Sequence, residues 1–186
     1  MKGCIHITND QLDRLLTVID FQRDKCLVVL GIRTGFRISE LLSLRFIDVL
    51  NPDGTVKDSI EVKASNCKGK RESQRVPLHI DAKDAIMQYI LATETPICGN
   101  EKLFPFKRGN AHKIIKKWTR LAGIDESRGR IGTHSLRKTF AKRIHEAMGS
   151  DIMKTQIAMR HKNIDSTLKY LNVDHEEIEQ AIRNVK

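Results

Sequence analysis

The stretch Ser59-Ile60-Glu61-Val62-Lys63-Ala64-Ser65-Asn66-Cys67-Lys68-Gly69-Lys70-Arg71-Glu72-Ser73-Gln74-Arg75-Val76-Pro77-Leu78 decides the fold class. Its two ends, Ser59 to Val62 and Gln74 to Leu78, lean to β structure, and the polar, basic Lys63 to Ser73 between them reads as the long turn of a hairpin. On both sides of it the periodicity is helical. Upstream, Thr8 or Asn9 can cap a helix whose Leu12, Leu15, Leu16 and Ile19 face a core. A second helix runs from about Arg23 to Arg33 and ends at Gly35, and a short one covers Ser39 to Leu44. Downstream, helical patterns cover Asp81 to Ala92, Asn110 to Ala122, Ser135 to Met148, Asp151 to Met159 and Asp174 to Val185, with Gly99, Gly109 and Gly129 as punctuation. Strands that neighbour each other, instead of alternating with helices, exclude a doubly wound parallel sheet. The expected class is α+β, mainly helical, with one small antiparallel hairpin sheet.

A chain of 186 residues fits one domain and can bury a core without disulfides or metals. Cys4, Cys26, Cys67 and Cys98 are scattered, with no Cys-x-x-Cys pair and no signal-like segment near Met1, which points to reduced thiols in a cytoplasm. No apolar run approaches the ~20 residues that cross a bilayer, so no membrane partner is expected. The 33 Lys plus Arg against 23 Asp plus Glu give a net charge of +10, which favours a polyanion, nucleic acid first. Aromatic residues make up 5%, too few to stack many unpaired bases, so a duplex backbone is the better target. On the Asn110 to Ala122 helix, Lys113, Lys116 and Lys117 repeat at helical spacing; they either follow a DNA backbone or form a solvated face. Trp118 beside them reads as core.

Three further strings bring together residue types that handle phosphate. In Thr34-Gly35-Phe36-Arg37-Ile38-Ser39-Glu40-Leu41-Leu42, Arg37 and Glu40 stand three apart and can share one side of a short helix. In Gly132-Thr133-His134-Ser135-Leu136-Arg137-Lys138-Thr139-Phe140-Ala141, His134 and Arg137 are again three apart, at a helix start whose amides and dipole favour an anion. In Ala158-Met159-Arg160-His161-Lys162-Asn163-Ile164-Asp165-Ser166-Thr167-Leu168-Lys169-Tyr170, nine steps of about 100° would place His161 and Tyr170 on opposite faces of one straight helix. The chain must therefore break between them for the two to meet. Asn163 and Asp165 supply the break, and Asp165 or Ser166 can cap a new helix that returns Tyr170 toward His161.

These strings, in this order, resemble the signature boxes of the tyrosine recombinases, or phage integrases, over nearly the whole chain from about Thr8 to Val185. The resemblance implies that Arg37 and Arg137 clamp the scissile phosphate, that His161 adds a third donor, and that Tyr170 attacks phosphorus to leave a 3′-phosphotyrosine. His134 would help deprotonate Tyr170 or align the phosphate. Glu40 is expected to brace the site without touching phosphate, which its charge would repel. The family's general-acid lysine falls on the hairpin turn before Arg75-Val76-Pro77-Leu78; Lys68 is the choice and Lys70 the competitor. Met159 and Arg160 depart from the usual Leu-Gly. Arg160 enters a left-handed turn less readily than Gly but adds a charge for phosphate, and it joins Lys113, Lys116, Lys117 and Lys138 as an expected DNA contact.

On this resemblance the covalent intermediate stores the energy for resealing, and no cofactor, metal or ATP is expected. The sequence likewise carries no His-x-x-x-His pair or Gly-rich Lys-Ser/Thr loop. The partners it implies are double-stranded attachment or recombination sites and a homotetramer on DNA that passes through a Holliday junction, from a protein monomeric when free. The segment Asp174 to Lys186, with Ile178, Ala181, Ile182 and Val185 on one stripe, docks either on a neighbouring protomer or on its own domain. Residues 1–186 are expected to form the catalytic domain alone, without the helical domain that precedes it in most relatives, in a bacterial or phage protein of the cytoplasm. Two other readings remain open: DNA relaxation of the type IB topoisomerase kind, and a DNA-binding regulator of the same fold without activity.

Overall fold

Thr8 opens the first helix by a reciprocal cap. Its hydroxyl accepts from the Gln11 amide at 3.2 Å, and the Gln11 side chain accepts from the Thr8 amide at 3.1 Å. The computed structural model describes residues 3–67, 73–93, 99–127, 129–161, 163–171 and 183–184. They fall into two compact units, Met1–Phe140 and Ala141–Lys186.

In the first unit, α1 (Asn9–Val18) buries Leu12 and Leu15, and α2 (Gln22–Thr34) is apolar on nearly all sides from Cys26 to Ile32. An all-round apolar helix must be covered all round. It is: Leu27 and Leu30 enter one core with Phe36, Leu41, Phe46, Ile60, Ala82 and Ile86. Val28 and Ile32 enter another with Leu12, Leu15, Ile115, Trp118 and Leu136. Each such leucine contributes about 1.5–3 kcal/mol by leaving water. Trp118 is buried as read, and its indole N–H donates to Asp24 at 2.9 Å, so the ring's one polar atom is satisfied.

The helix expected over Ser39 to Leu44 is shorter and is followed by another. α3 spans Ile38–Leu41, then α4 spans Phe46–Val49, started by Asp48 accepting from the Arg45 amide at 2.8 Å. The hairpin pairs β1 (Ser59–Val62) with β2 (Gln74–Pro77) antiparallel, setting Ile60 opposite Val76 and Glu61 opposite Arg75. Ile60, Val62 and Val76 are buried and Glu61 and Arg75 exposed, the alternation of a sheet with one wet face. α5 (Ile80–Leu91) packs on α2, and α6 (Arg108–Leu121) supplies Ile115 and Trp118.

α7 (Thr133–Ala147) begins in the first unit and ends in the second, which also holds α8 (Ile152–Met159) and α9 (Ile164–Leu171). Cys4, Cys26 and Cys67 are thiols. Cys98, and the expected Asp174 to Val185 helix apart from Arg183 and Asn184, lie outside the described residues. Among the described residues no helix is long and apolar enough to cross a membrane.

Candidate active site

Gly35 joins the first two phosphate-type strings. It caps α2 in the left-handed conformation, at φ 63°, and a Cβ there would stand 2.2 Å from the Phe140 ring. One helical turn earlier, a Cβ on Gly31 would meet the Leu136 side chain at 2.6 Å. The two glycines thus let the end of α2 lie directly against the first turns of α7. The bond that results is polar: the buried Arg137 guanidinium donates through Nη1 to the Gly35 carbonyl, 102 positions away in sequence. Arg37 follows two residues after that carbonyl, so Arg137 and Arg37 are anchored to the same short segment of backbone.

Arg37 stands at the start of α3 with its side chain 27% exposed, while Glu40 is 0% exposed. The buried carboxylate accepts twice from one residue, from the Arg37 amide at 2.6 Å and from Nη1 at 2.9 Å. The first bond satisfies an amide that the helix start leaves open; the second fixes the guanidinium on a side chain that stays partly exposed.

His134, the second residue of α7, is exposed. Its pKa is held below the ordinary histidine value, first by partial desolvation and then by the positive charges of Arg108, Arg137 and Lys138. At neutral pH the ring is therefore uncharged and has one nitrogen able to accept a proton. Lys138 is likewise pushed below the usual lysine range by desolvation. Arg108, at the start of α6, belongs with this cationic group and was not foreseen from the sequence; its only local signal is a basic residue at a helix start.

The lysines of α6 divide. Lys116 is committed to Glu126, at 2.5 and 2.7 Å, and Lys117 lies over the Trp118 ring at 4.1 Å from its centroid. Lys113 is exposed at the edge of an open hollow with Lys116, Lys117, Arg120, Asp125 and Glu126. Lys68 and Lys70, the two hairpin candidates, lie outside the described residues.

In the second unit the required break is present. α8 ends at Met159 and α9 begins at Ile164. Arg160 takes the left-handed conformation, φ 51° and ψ 46°, where a glycine would be at ease. The Arg160 amide bonds to the Ile157 carbonyl at 2.9 Å and the His161 amide to that of Gln156 at 3.1 Å, a Schellman turn. The new helix is capped by Asn163, whose side chain accepts from the Asp165 amide at 3.0 Å; the expectation of Asp165 or Ser166 in that role is corrected. Those two already lie inside the first turn, whereas Asn163 holds the position that faces its open amides. Tyr170 is thereby returned to His161, their ring centroids 5.0 Å apart and planes at 41°. His161 is buried, and its Nδ1 lies 3.0 Å from the hydroxyl of the fully buried Thr167, a partner the sequence reading missed.

The model of the phage integrase family matches residues 6–177. Probable integrase/recombinase YoeC of Bacillus subtilis (strain 168) is 29% identical over 169 residues, 87% of this chain and 84% of that protein. Tyrosine recombinase XerC of Thermodesulfovibrio yellowstonii is 29% identical over 167 residues, 82% of this chain and 51% of that protein. Among solved structures, XerA recombinase superposes with a TM-score of 0.75 at 20% identity, covering 99% of this chain and 65% of that one. XerH site-specific recombinase bound to palindromic difH substrate, a post-cleavage complex, gives 0.73 at 22% identity, covering 98% and 54%. The chain spans about half the length of the XerC relative.

Proposed function

The chain belongs to the phage integrase family, and from that premise we propose that it cuts and rejoins duplex DNA at specific sites through a 3′-phosphotyrosine at Tyr170. The observation that carries this reading is the return of Tyr170 to His161 across a helix break that one straight helix could not make. Tyr170 attacks phosphorus as its hydroxyl loses a proton, and the bond to the deoxyribose 5′-oxygen breaks. Arg37 and Arg137 supply planar, permanently charged donors to the non-bridging oxygens, where charge builds in the transition state. His161 adds a donor. His134, uncharged at neutral pH, takes the phenolic proton or aligns the phosphate. Protonation of the leaving 5′-oxygen falls to the hairpin lysine, Lys68 by preference over Lys70. Attack by that 5′-hydroxyl on the phosphotyrosine runs the same step backward and reseals the strand, so the phosphodiester energy is conserved without ATP or a metal ion.

Strand exchange between two duplexes needs two such events on each of two sites. The proposed working form is accordingly a homotetramer on DNA passing through a Holliday junction, in a bacterial or phage context. Around the site, Lys113, Lys138 and Arg160 are the proposed backbone contacts, with Arg108 added to them. Among the α6 lysines, Lys116 and Lys117 are weaker members than Lys113, because Lys116 is paired with Glu126 and Lys117 lies over the Trp118 ring.

The test is a nicked suicide duplex carrying the attachment site, incubated with the protein in EDTA. A denaturant-resistant protein–DNA adduct is expected, and Tyr170→Phe abolishes it. An adduct that survives Tyr170→Phe, or that requires Mg²⁺, defeats the mechanism; relaxation of supercoils without sequence preference redirects it to the topoisomerase reading.

A further inference from the structure

Threonine hydroxyls on the helices of this protein follow one habit. Thr17, Thr34, Thr119, Thr139 and Thr155, and Thr93 just past the end of α5, each donate to the carbonyl four residues earlier, at 2.6 to 2.9 Å. That bond is the usual resting place of a helical threonine proton. Thr167 on α9 departs from it. Its hydroxyl is completely buried, and among the described residues its hydrogen-bond partner is His161 Nδ1, at 3.0 Å.

The departure has a consequence for where His161 keeps its proton. A buried hydroxyl hydrogen without an acceptor is costly, so the Thr167 proton goes to the acceptor within reach. That acceptor is Nδ1, which must then be unprotonated, and the imidazole proton sits on Nε2. A second histidine of the same unit shows the opposite arrangement. His145 Nδ1 lies 2.9 Å from the Thr155 hydroxyl, but Thr155 has already given its proton to the Asp151 carbonyl at 2.6 Å. Thr155 can only accept, so His145 carries its proton on Nδ1. Two His–Thr pairs of nearly equal length thus demand opposite tautomers, and the difference lies in the second bond that Thr155 makes and Thr167 does not.

We infer that Thr167 is a positioning residue for the recombination chemistry: by donating to Nδ1 it holds His161 as the Nε2–H tautomer, so that the ring meets phosphate as a donor from its far edge. Thr167 does not touch DNA; it acts through the orientation and protonation of His161. The inference rests on the proposed role of His161, yet its physical content can be read without activity.

The experiment uses the full chain labelled with ¹⁵N-histidine, with long-range ¹H–¹⁵N spectra at mildly alkaline pH and each ring assigned by its own His→Gln variant. His161 is expected to show a pyridine-like Nδ1 and a pyrrole-like Nε2, and His145 the reverse. Thr167→Val, which keeps the shape and deletes the donor, mixes the His161 tautomers, leaves His145 unchanged and slows cleavage of the suicide duplex roughly tenfold. Thr167→Ser restores both. A protonated Nδ1 on His161 in the unsubstituted protein overturns the inference, as does a Thr167→Val protein that keeps the His161 signature and the cleavage rate. If Thr167→Val does not fold, the contrast between His161 and His145 in the unsubstituted protein decides alone. If no duplex yields a Tyr170 adduct, the function reading fails while the ring nitrogens still judge the role of Thr167.

Discussion

Replacing Glu40 should damage the protein in two separable ways, because one buried carboxylate serves two donors of Arg37. In Glu40→Ala the Arg37 amide loses its cap, worth about 1 kcal/mol, and the guanidinium loses a charge-assisted bond of about 1.5–3 kcal/mol. The Arg37 side chain is 27% exposed, so water recovers part of the second loss and the sum settles near 3 kcal/mol. For a chain of this size that lowers the melting temperature by roughly 6–12 °C. Glu40→Gln is the sharper variant. It keeps volume and one acceptor oxygen, but its amide group presents hydrogens where the second donor already points, so it satisfies either the cap or the guanidinium. It should cost less stability than alanine and still release Arg37. Denaturant melts paired with single-turnover cleavage of the suicide duplex separate the effects: Glu40→Gln is expected to lose about 1–2 kcal/mol of stability and at least tenfold in cleavage at saturating DNA. A Glu40→Gln protein that melts like the parent and cleaves at the parent rate refutes the reasoning, since Arg37 would then be positioned by something other than this carboxylate.

Three other outcomes follow from the same geometry. Arg160→Gly and Arg160→Ala both delete the side chain, but only glycine relieves a left-handed residue that costs about 1–2 kcal/mol, part of it returned as unfolded-chain entropy, so the glycine variant is expected to be about 0.5–1 kcal/mol more stable than the alanine variant in denaturant melts. If Arg160 also meets a phosphate, the log–log salt slope of DNA binding falls by about one. Gly35→Ala forces a Cβ into the Phe140 ring at φ 63° and is expected to cost about 3 kcal/mol, with loss of the Arg137 anchor; a stable, active variant would mean that α2 and α7 do not meet as described. The folded-state pKa of His134 lies below its unfolded value of 6.5, so between the two the unfolded chain binds the extra proton. Stability from this group is present above pH 6.5 and is lost as pH falls below it toward the folded value. Denaturant midpoints should therefore decline less in His134→Gln than in the parent across that window, and parallel declines would remove His134 as the cause.

Much of the architecture was legible because it is written in local periodicity. The hairpin ends, the all-round apolar α2 and the amphipathic α6 follow from spacings of two and 3.6 residues, and no distant partner is needed to read them. α4 was not foreseen because it depends on a four-residue relation, Asp48 reaching back to Arg45, in a stretch beyond the helix expected over Ser39 to Leu44 and too short to show a period. The cap of α9 was misplaced by two or three residues for a similar reason: Asn163, Asp165 and Ser166 are all good caps, and only the position of the first helical turn chooses among them. What the sequence could not show is which cations are already spoken for. Lys113, Lys116 and Lys117 are alike on a helical wheel, but Glu126 lies ten positions from Lys116, and the rings that hold Lys117 include Phe21 from a distant part of the chain. Thr167 escaped notice because a threonine inside a helix normally satisfies itself; its importance lies in a bond it fails to make within the helix.

Arg160 shows how firmly the fold specifies the turn before His161. Local preference argues against an arginine with φ 51°, and the family likeness places a glycine there, so a chain with freedom at this point would have relaxed to another conformation. It does not, because the turn is bonded back onto α8 at three points. The Arg160 and His161 amides close on α8 through Ile157 and Gln156, and the Gln156 side chain donates at 3.0 Å to the His161 carbonyl. Three hydrogen bonds of about 1 kcal/mol each outweigh a left-handed residue costing 1–2 kcal/mol. These bonds fix the turn and the backbone at His161, whose ring meets Thr167 through Nδ1 and lies tilted beside the Tyr170 ring. A turn held this tightly accepts an arginine, and Gln156→Ala should weaken the parent less than it weakens Arg160→Gly, because the strained parent turn regains strain energy by relaxing when a bond is lost, whereas the glycine turn loses the whole bond. Equal losses in the two backgrounds would show that Gln156 and the Arg160 turn are not coupled.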